Sequence, residues 1–183
     1  EFIVGIHLAR FGARDSLAVS WRRADGSAGT SQGPLTPEEV EAHARAKKAA
    51  RQAAGKTAVF CSSGALASVA QWWQWCWQER AHNVAFSTTL IEAEHAGAHG
   101  WLSHPVDKPF ALFDLVGEND SSTQHRIAAL DRHLSGRRPH AKSVLLAGET
   151  ENEQVLHGII LAEFASCYLG VLNGVKQGKG GMS

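Results

Sequence analysis

The sequence has few cysteines, no surplus of charge of either sign and no long apolar run, and each shortage removes a class of explanation. Cysteine occurs three times in 183 residues, at Cys61, Cys76 and Cys167, without CxxC spacing. Pairing two of them would leave an odd thiol. This usage fits a reducing, cytoplasmic compartment in which such cysteines are small buried apolar groups. Eighteen Lys and Arg balance eighteen Asp and Glu, so bulk electrostatics gives no case for a nucleic-acid binder. No apolar run approaches the roughly 20 residues of a membrane span, and there is no signal-peptide pattern. The chain starts at Glu1 without a methionine, which suggests a trimmed N-terminus. No internal repeat or linker stands out. A single domain over residues 1–174 is expected, with a mobile Lys- and Gly-rich tail over 175–183.

What is present reads as an alternation of strands and helices. Hydrophobic residues make up 44% and charged residues 20% of the chain, an ordinary globular balance that suffices for a core. Phe2 to Leu8 and Asp15 to Arg23 look like an antiparallel strand pair, and 25–34, rich in Gly and Ser, reads as loop. Thr36-Pro37-Glu38-Glu39 is a helix start with a capping box, and Gly55 is the stop. Strands are expected over Thr57–Cys61, Pro109–Val116 and Lys142–Ala147. Ser62 or Ser63 would cap a helix over Ala65–Arg80, and Ser121 or Ser122 another ending near Gly136. The stretch 155–172 suits a strand or a helix. The pattern argues an α/β sheet covered by helices on both faces.

Two stretches carry the candidate chemistry. The helix Ala65–Arg80 contains Trp72, Trp73, Trp75 and Trp77, which cannot share one face because residues two apart point about 200° apart. Trp72 and Trp73 are therefore candidates for a contact surface, and a helix sandwiched between layers explains them as well. The second stretch, Phe86 to His104, passes Thr88 into a helix rich in Ala and Gly, Ala93 to Leu102. Glycine within a helix costs about 1 kcal/mol against alanine, so this helix is expected to be the buried one, tightly packed or holding a site. Glu92, Glu94, His95, His99 and His104 sit among its small residues. His95 and His99, four apart, could join Glu94 or His104 in a metal set. There is no HExxH and no orienting set of neighbours, so no metal and no cofactor are expected.

The pieces Ala58–Ser63, Phe86–Ser87, Ile91–Trp101, Ala111–Asp120, Gln124–Leu134 and Val144–Glu149 resemble the N-terminal half of β-ketoacyl synthases, of the thiolase-like superfamily. That resemblance implies a layered fold with a mixed sheet and one buried small-residue helix. It sets Glu92 to Gly100, EAEHAGAHG, against the family's nucleophile turn and puts Glu94 where the cysteine would be. A carboxylate forms no stable thioester, so the resemblance implies a non-catalytic partner or scaffold in fatty-acid or polyketide-type biosynthesis. A homodimer, a heterodimer with a ketosynthase and contact with an acyl carrier protein follow from it. His95, His99 and Thr88 would line the vestigial site.

Two other readings compete. Cys61 precedes Ser62-Ser63-Gly64 at a helix start, where a thiol pKa falls, so a cysteine-dependent acyltransferase or hydrolase is an alternative. Ile3 to Asp15 resembles the first strand of ribonuclease-H-like nucleases, with His7 in place of the metal-binding Asp. Two-metal chemistry needs carboxylates, so that would be a degenerate domain.

Overall fold

The structure is a computed structural model and describes residues 3–7, 16–22, 28–34, 37–102 and 109–175. It divides into two compact units, Glu1–Ala44 and Arg45–Ser183, where the sequence reading expects one domain over 1–174. In the first unit β1 (Ile3–His7), β2 (Ser16–Arg22) and β3 (Ala28–Pro34) form an antiparallel sheet in that order. The β1–β2 pair is as expected, with Ile3 opposite Arg22. β3 falls where the glycines suggest loop. It is an edge strand, held through its backbone along β2 from Ala28 to Pro34, and an edge tolerates Gly and a terminal Pro because only one side of its ladder is used.

The second unit is built on a parallel sheet of β4 (Thr57–Ser62), β5 (Ala85–Thr89), β6 (Phe110–Gly117) and β7 (Lys142–Leu146) in the order β5-β4-β6-β7. Its central strands are runs of Ala, Val, Leu, Phe and Cys, as strands covered on both faces require. α1 (Pro37–Ala53) ends before Gly55, whose φ of +71° suits glycine. Its Ala46, Ala49, Ala50 and Ala53 form a buried stripe.

One face of the sheet is aromatic. Phe60 stacks on Phe113 across β4 and β6 with centroids 5.5 Å apart, and Trp73 and Trp77 lie 5.2 and 5.0 Å from Phe60. Both tryptophans come from α2 (Ala67–Ala81), entered through a 3-10 turn, Gly64–Leu66. Opposite the sheet, a long helix (Glu151–Leu172, the last among the described residues) packs beside α2. The approach is close at Gly158, where a Cβ would meet Val69 Cγ1 at 2.5 Å, and Trp73 Nε1 donates to the Gly158 carbonyl at 2.9 Å. The stretch left open between strand and helix is thus a helix, started by a Thr150–Glu153 capping box. It is long and apolar enough to cross a membrane, although the sequence reading finds no such run. Half of that stretch is buried within the fold, and the buried Glu163 pairs with Arg80.

The other face carries Cys61 and Val116, packed with Leu90, Ala98, Ile127, Leu130 and Leu134. It is covered by a helical segment of three parts, α3 (Leu90–Glu92), a π turn (Ala93–Gly97) and α4 (Ala98–Leu102), and by α5 (Ser121–His133). The long helix Glu151–Leu172 is α6. The three-part segment corrects the expectation of a buried helix. Only Leu90 and Ala98 of the segment are buried, while Ile91, Glu92, His95, Ala96, His99 and Gly100 are exposed. A Cβ on Gly100 would meet nothing within 4 Å, so its small size serves no close approach. The α/β class with helices on both faces holds. The thiolase-like layering, with a mixed sheet around a buried small-residue helix, does not: this sheet is wholly parallel and the small-residue segment lies outside it.

Candidate functional site

β4 leads through α2 to β5 on one side, and β6 leads through α5 to β7 on the other. Where neighbouring parallel strands send their connections opposite ways, a crevice opens outside their carboxyl ends, and ligands of open α/β sheets bind there. The residues at that edge are Ser62-Ser63-Gly64 after β4, Thr88-Thr89 at the end of β5, and Gly117 to Asp120 after β6.

Four helix starts point at this edge, and three are closed by their own side chains. Thr89 and Glu92 form a capping box on α3, Asp120 accepts from the Thr123 N–H on α5, and Thr150 with Glu153 caps α6. The start after β4 differs. Ser63 is extended, makes no side-chain cap, and leads through Gly64 at φ +58° into the turn that opens α2. This start has no side-chain cap of its own, and the Glu151 carboxylate stands beside it, with Oε1 4.0 Å from the place of a Gly64 Cβ. The serines are held from below. Ser62 Oγ donates to the Leu115 carbonyl of β6 at 2.7 Å, and Ser63 Oγ lies 3.0 Å from Thr123 Oγ1 of α5.

Acidic groups line the rim. Glu92 Oε2 accepts from Thr89 N at 2.8 Å, Thr89 Oγ1 at 2.9 Å and Thr88 Oγ1 at 3.3 Å. The Thr89 backbone bond, then its hydroxyl, holds this carboxyl below its ordinary range. All three bonds reach one oxygen, Oε2. Glu94, in the π turn, receives Arg126 of α5 in a fork, Nε to Oε1 at 3.0 Å and Nη2 to Oε2 at 2.5 Å.

The residues singled out from sequence are dispersed. Thr88 and Glu94 stand at the edge. His95 and His99 are exposed on the same helical segment, and His104 lies outside the described residues. Among the described residues no three His, Cys, Asp or Glu side chains come together as a metal set. Trp73 is fully buried in the aromatic face, so it is core and not a binding residue. Trp72 is partly exposed, edge-on to Trp75 at 6.1 Å, with its Nε1 donating to Glu163 Oε1 at 3.2 Å. Cys61 is buried on the α5 side of β4. Burial, then the neighbouring Asp114, pushes its thiol up to about 12, the reverse of the lowering expected at a helix start. The thiol points into the sheet's packing, not at the helix start that follows it. Ser63, Thr123 and Arg126 are site residues that sequence reasoning misses. The signal available for Ser63 is a strand ending in Ser-Ser-Gly before a helix.

A family model described as the bacterial phospho-glucose isomerase C-terminal SIS domain matches residues 42–178. Among solved structures, a glucose-6-phosphate isomerase like protein from Thermus thermophilus is 19% identical with a TM-score of 0.57, over 74% of this chain and 46% of that one. The C-terminal domain of glucosamine-fructose-6-phosphate aminotransferase from Francisella tularensis is 12% identical with a TM-score of 0.55, over 74% and 41%. Glucosamine-6-phosphate deaminase from Thermotoga maritima is 14% identical with a TM-score of 0.53, over 74% and 42%. The chain thus spans less than half the length of each of these structures. No curated protein sequence matches it.

These findings overturn the ketosynthase resemblance. The string of Ala, Gly and His over 92–100 imitates a nucleophile turn by composition, but it lies on the surface and not in a buried catalytic helix. The role of non-catalytic scaffold in lipid or polyketide synthesis, with its acyl carrier protein, falls with that resemblance. The Cys61 hydrolase and the degenerate ribonuclease-H domain fall as functions too, since the family match concerns sugar phosphates and covers the parallel-sheet unit.

Proposed function

The chain belongs to the bacterial phospho-glucose isomerase C-terminal SIS domain family, and on that premise we propose that it binds a sugar phosphate at the carboxyl edge of its parallel sheet and serves aldose–ketose isomerisation there. The observation that carries this reading is the helix start at Ser63-Gly64, without a cap of its own beside three that are capped. Backbone N–H groups and the Ser63 and Thr123 hydroxyls suit a phosphate, which binds through many donors and needs no lysine.

Isomerisation moves a proton between the two adjacent carbons of a hydroxy-carbonyl unit, which calls for a positioned base. Glu92 is suited to that task. One oxygen is fixed by three donors, and the carboxyl is held below its ordinary range. The anchoring fixes the direction in which the carboxylate can take a proton.

Calorimetric titration with glucose 6-phosphate and with glucose tests the binding. Saturable binding of the phosphorylated sugar alone supports the reading, and binding of neither overturns it. For the chemistry, glucose 6-phosphate incubated with the protein in D2O takes up deuterium at C2, followed by proton NMR. Glu92→Gln, which still completes a capping box, slows that exchange by about a hundredfold or more. Exchange that is unchanged in Glu92→Gln removes Glu92 from the role.

A further inference from the structure

Beyond the cradle at Ser63, the geometry points to Arg126 as the group that reads the phosphate charge, with Glu94 as a built-in competitor that holds its place until substrate arrives. This rests on the sugar-phosphate reading and deepens it.

Thr123, which touches Ser63, and Arg126 are three residues apart on α5, so their side chains are neighbours, with roughly 5–6 Å between their Cβ atoms. Arg126 thus lies one helical turn beyond Thr123, which itself touches the uncapped helix start. Its guanidinium stays on the surface, with 43% of the side chain exposed, so a ligand can reach it. Arg126 pairs with a carboxylate through two parallel bonds, the same fork that receives two oxygens of a phosphate.

Glu94 comes to that place by an irregularity. The π turn Ala93–Gly97 winds wider than an α-helix and resets the side-chain register between Glu92 and Ala98, and such turns are frequent at functional sites. Glu92 is held at the end of β5 by Thr88 and Thr89, and Glu94 is held by Arg126. An anion arriving at Ser63 meets a guanidinium already satisfied by Glu94. It binds by exchange, with phosphate oxygens replacing carboxylate oxygens on the fork. An exposed ion pair makes this exchange cheap, because such pairs contribute little on their own.

The exchange makes an unusual demand on variants: removing one partner of the pair weakens binding and removing the other strengthens it. Titration of the 183-residue chain with glucose 6-phosphate and glucose reads both. Arg126→Ala weakens glucose 6-phosphate about tenfold or more, as loss of a charge-assisted contact does, and Arg126→Lys recovers part of that. Glu94→Gln tightens it by roughly three- to tenfold, a gain that misfolding cannot produce. Arg132→Ala, elsewhere on α5, serves as the control for net charge and changes neither. If wild type binds the phosphorylated sugar but Glu94→Gln weakens it, or Arg126→Ala leaves it unchanged, the exchange is wrong and the sugar-phosphate reading survives. If wild type binds neither sugar, both fall together.

Discussion

The two faces of the parallel sheet are built by different means. On one, Phe60, Phe113, Trp73 and Trp77 interlock with ring centroids 5.0–6.5 Å apart, under two long helices. On the other, the cover is α5 and a helical segment broken by a π turn. Aliphatic contacts there surround Asp114, a buried carboxyl whose Oδ2 has no hydrogen-bond partner. The first face is aromatic, and the buried Glu163 beneath its helices is paired with Arg80. The second holds a buried carboxyl that is not ion-paired and an irregular helix, both costly, and it carries the Glu94–Arg126 pair.

The largest test of this contrast is Trp73→Ala. Removing a fully buried indole and its bond to Gly158 should cost about 3–5 kcal/mol, read as a lowered urea midpoint. A loss below about 1 kcal/mol would mean that the aromatic packing contributes little. Next in size is Asp114. Burial, partly offset by Arg138, raises its carboxyl to about 6. The native state therefore holds this proton more tightly than the unfolded chain does. The contribution of Asp114 to stability is complete below about pH 4 and lost as pH rises through about 6. Asp114→Asn should flatten that arm of the stability profile by about 2–3 kcal/mol. An unchanged profile would show that Asp114 titrates normally. The smallest effect is at Gly100. With open space for a Cβ, Gly100→Ala should stabilise by about 0.5–1 kcal/mol through helix propensity alone, whereas a close-packed helix would be destabilised.

Much of the second unit is legible in the sequence because its signals are local. The apolar runs at Thr57, Pro109 and Lys142 lie within a residue or two of β4, β6 and β7, and Gly55 and Gly136 stand in left-handed turns after helices. Where local chemistry points to the wrong place, long-range packing decides otherwise. Asp120, not Ser121 or Ser122, caps α5, and most of the small-residue segment faces solvent. The capping expected at Thr36 and Glu39 falls on residues whose side chains lie outside the described set. The site is less legible than the fold. Thr88 and Glu94 stand out in the sequence, but the resemblance that gives Glu94 a nucleophile's place is one of composition, and Arg126 carries no signal of its own.

By itself, the sequence determined an α/β chain, because strand and helix periodicities, caps and left-handed glycines act within a few residues. Only the tertiary structure decided that β4 sits inside the sheet and that the chain crosses it between β5 and β6. That crossing brings Ser63 to Thr123 across 60 residues and Glu94 to Arg126 across 32. Contacts of that range arise from strand pairing and the packing of whole helices, and neither leaves a mark on the residues that finally meet.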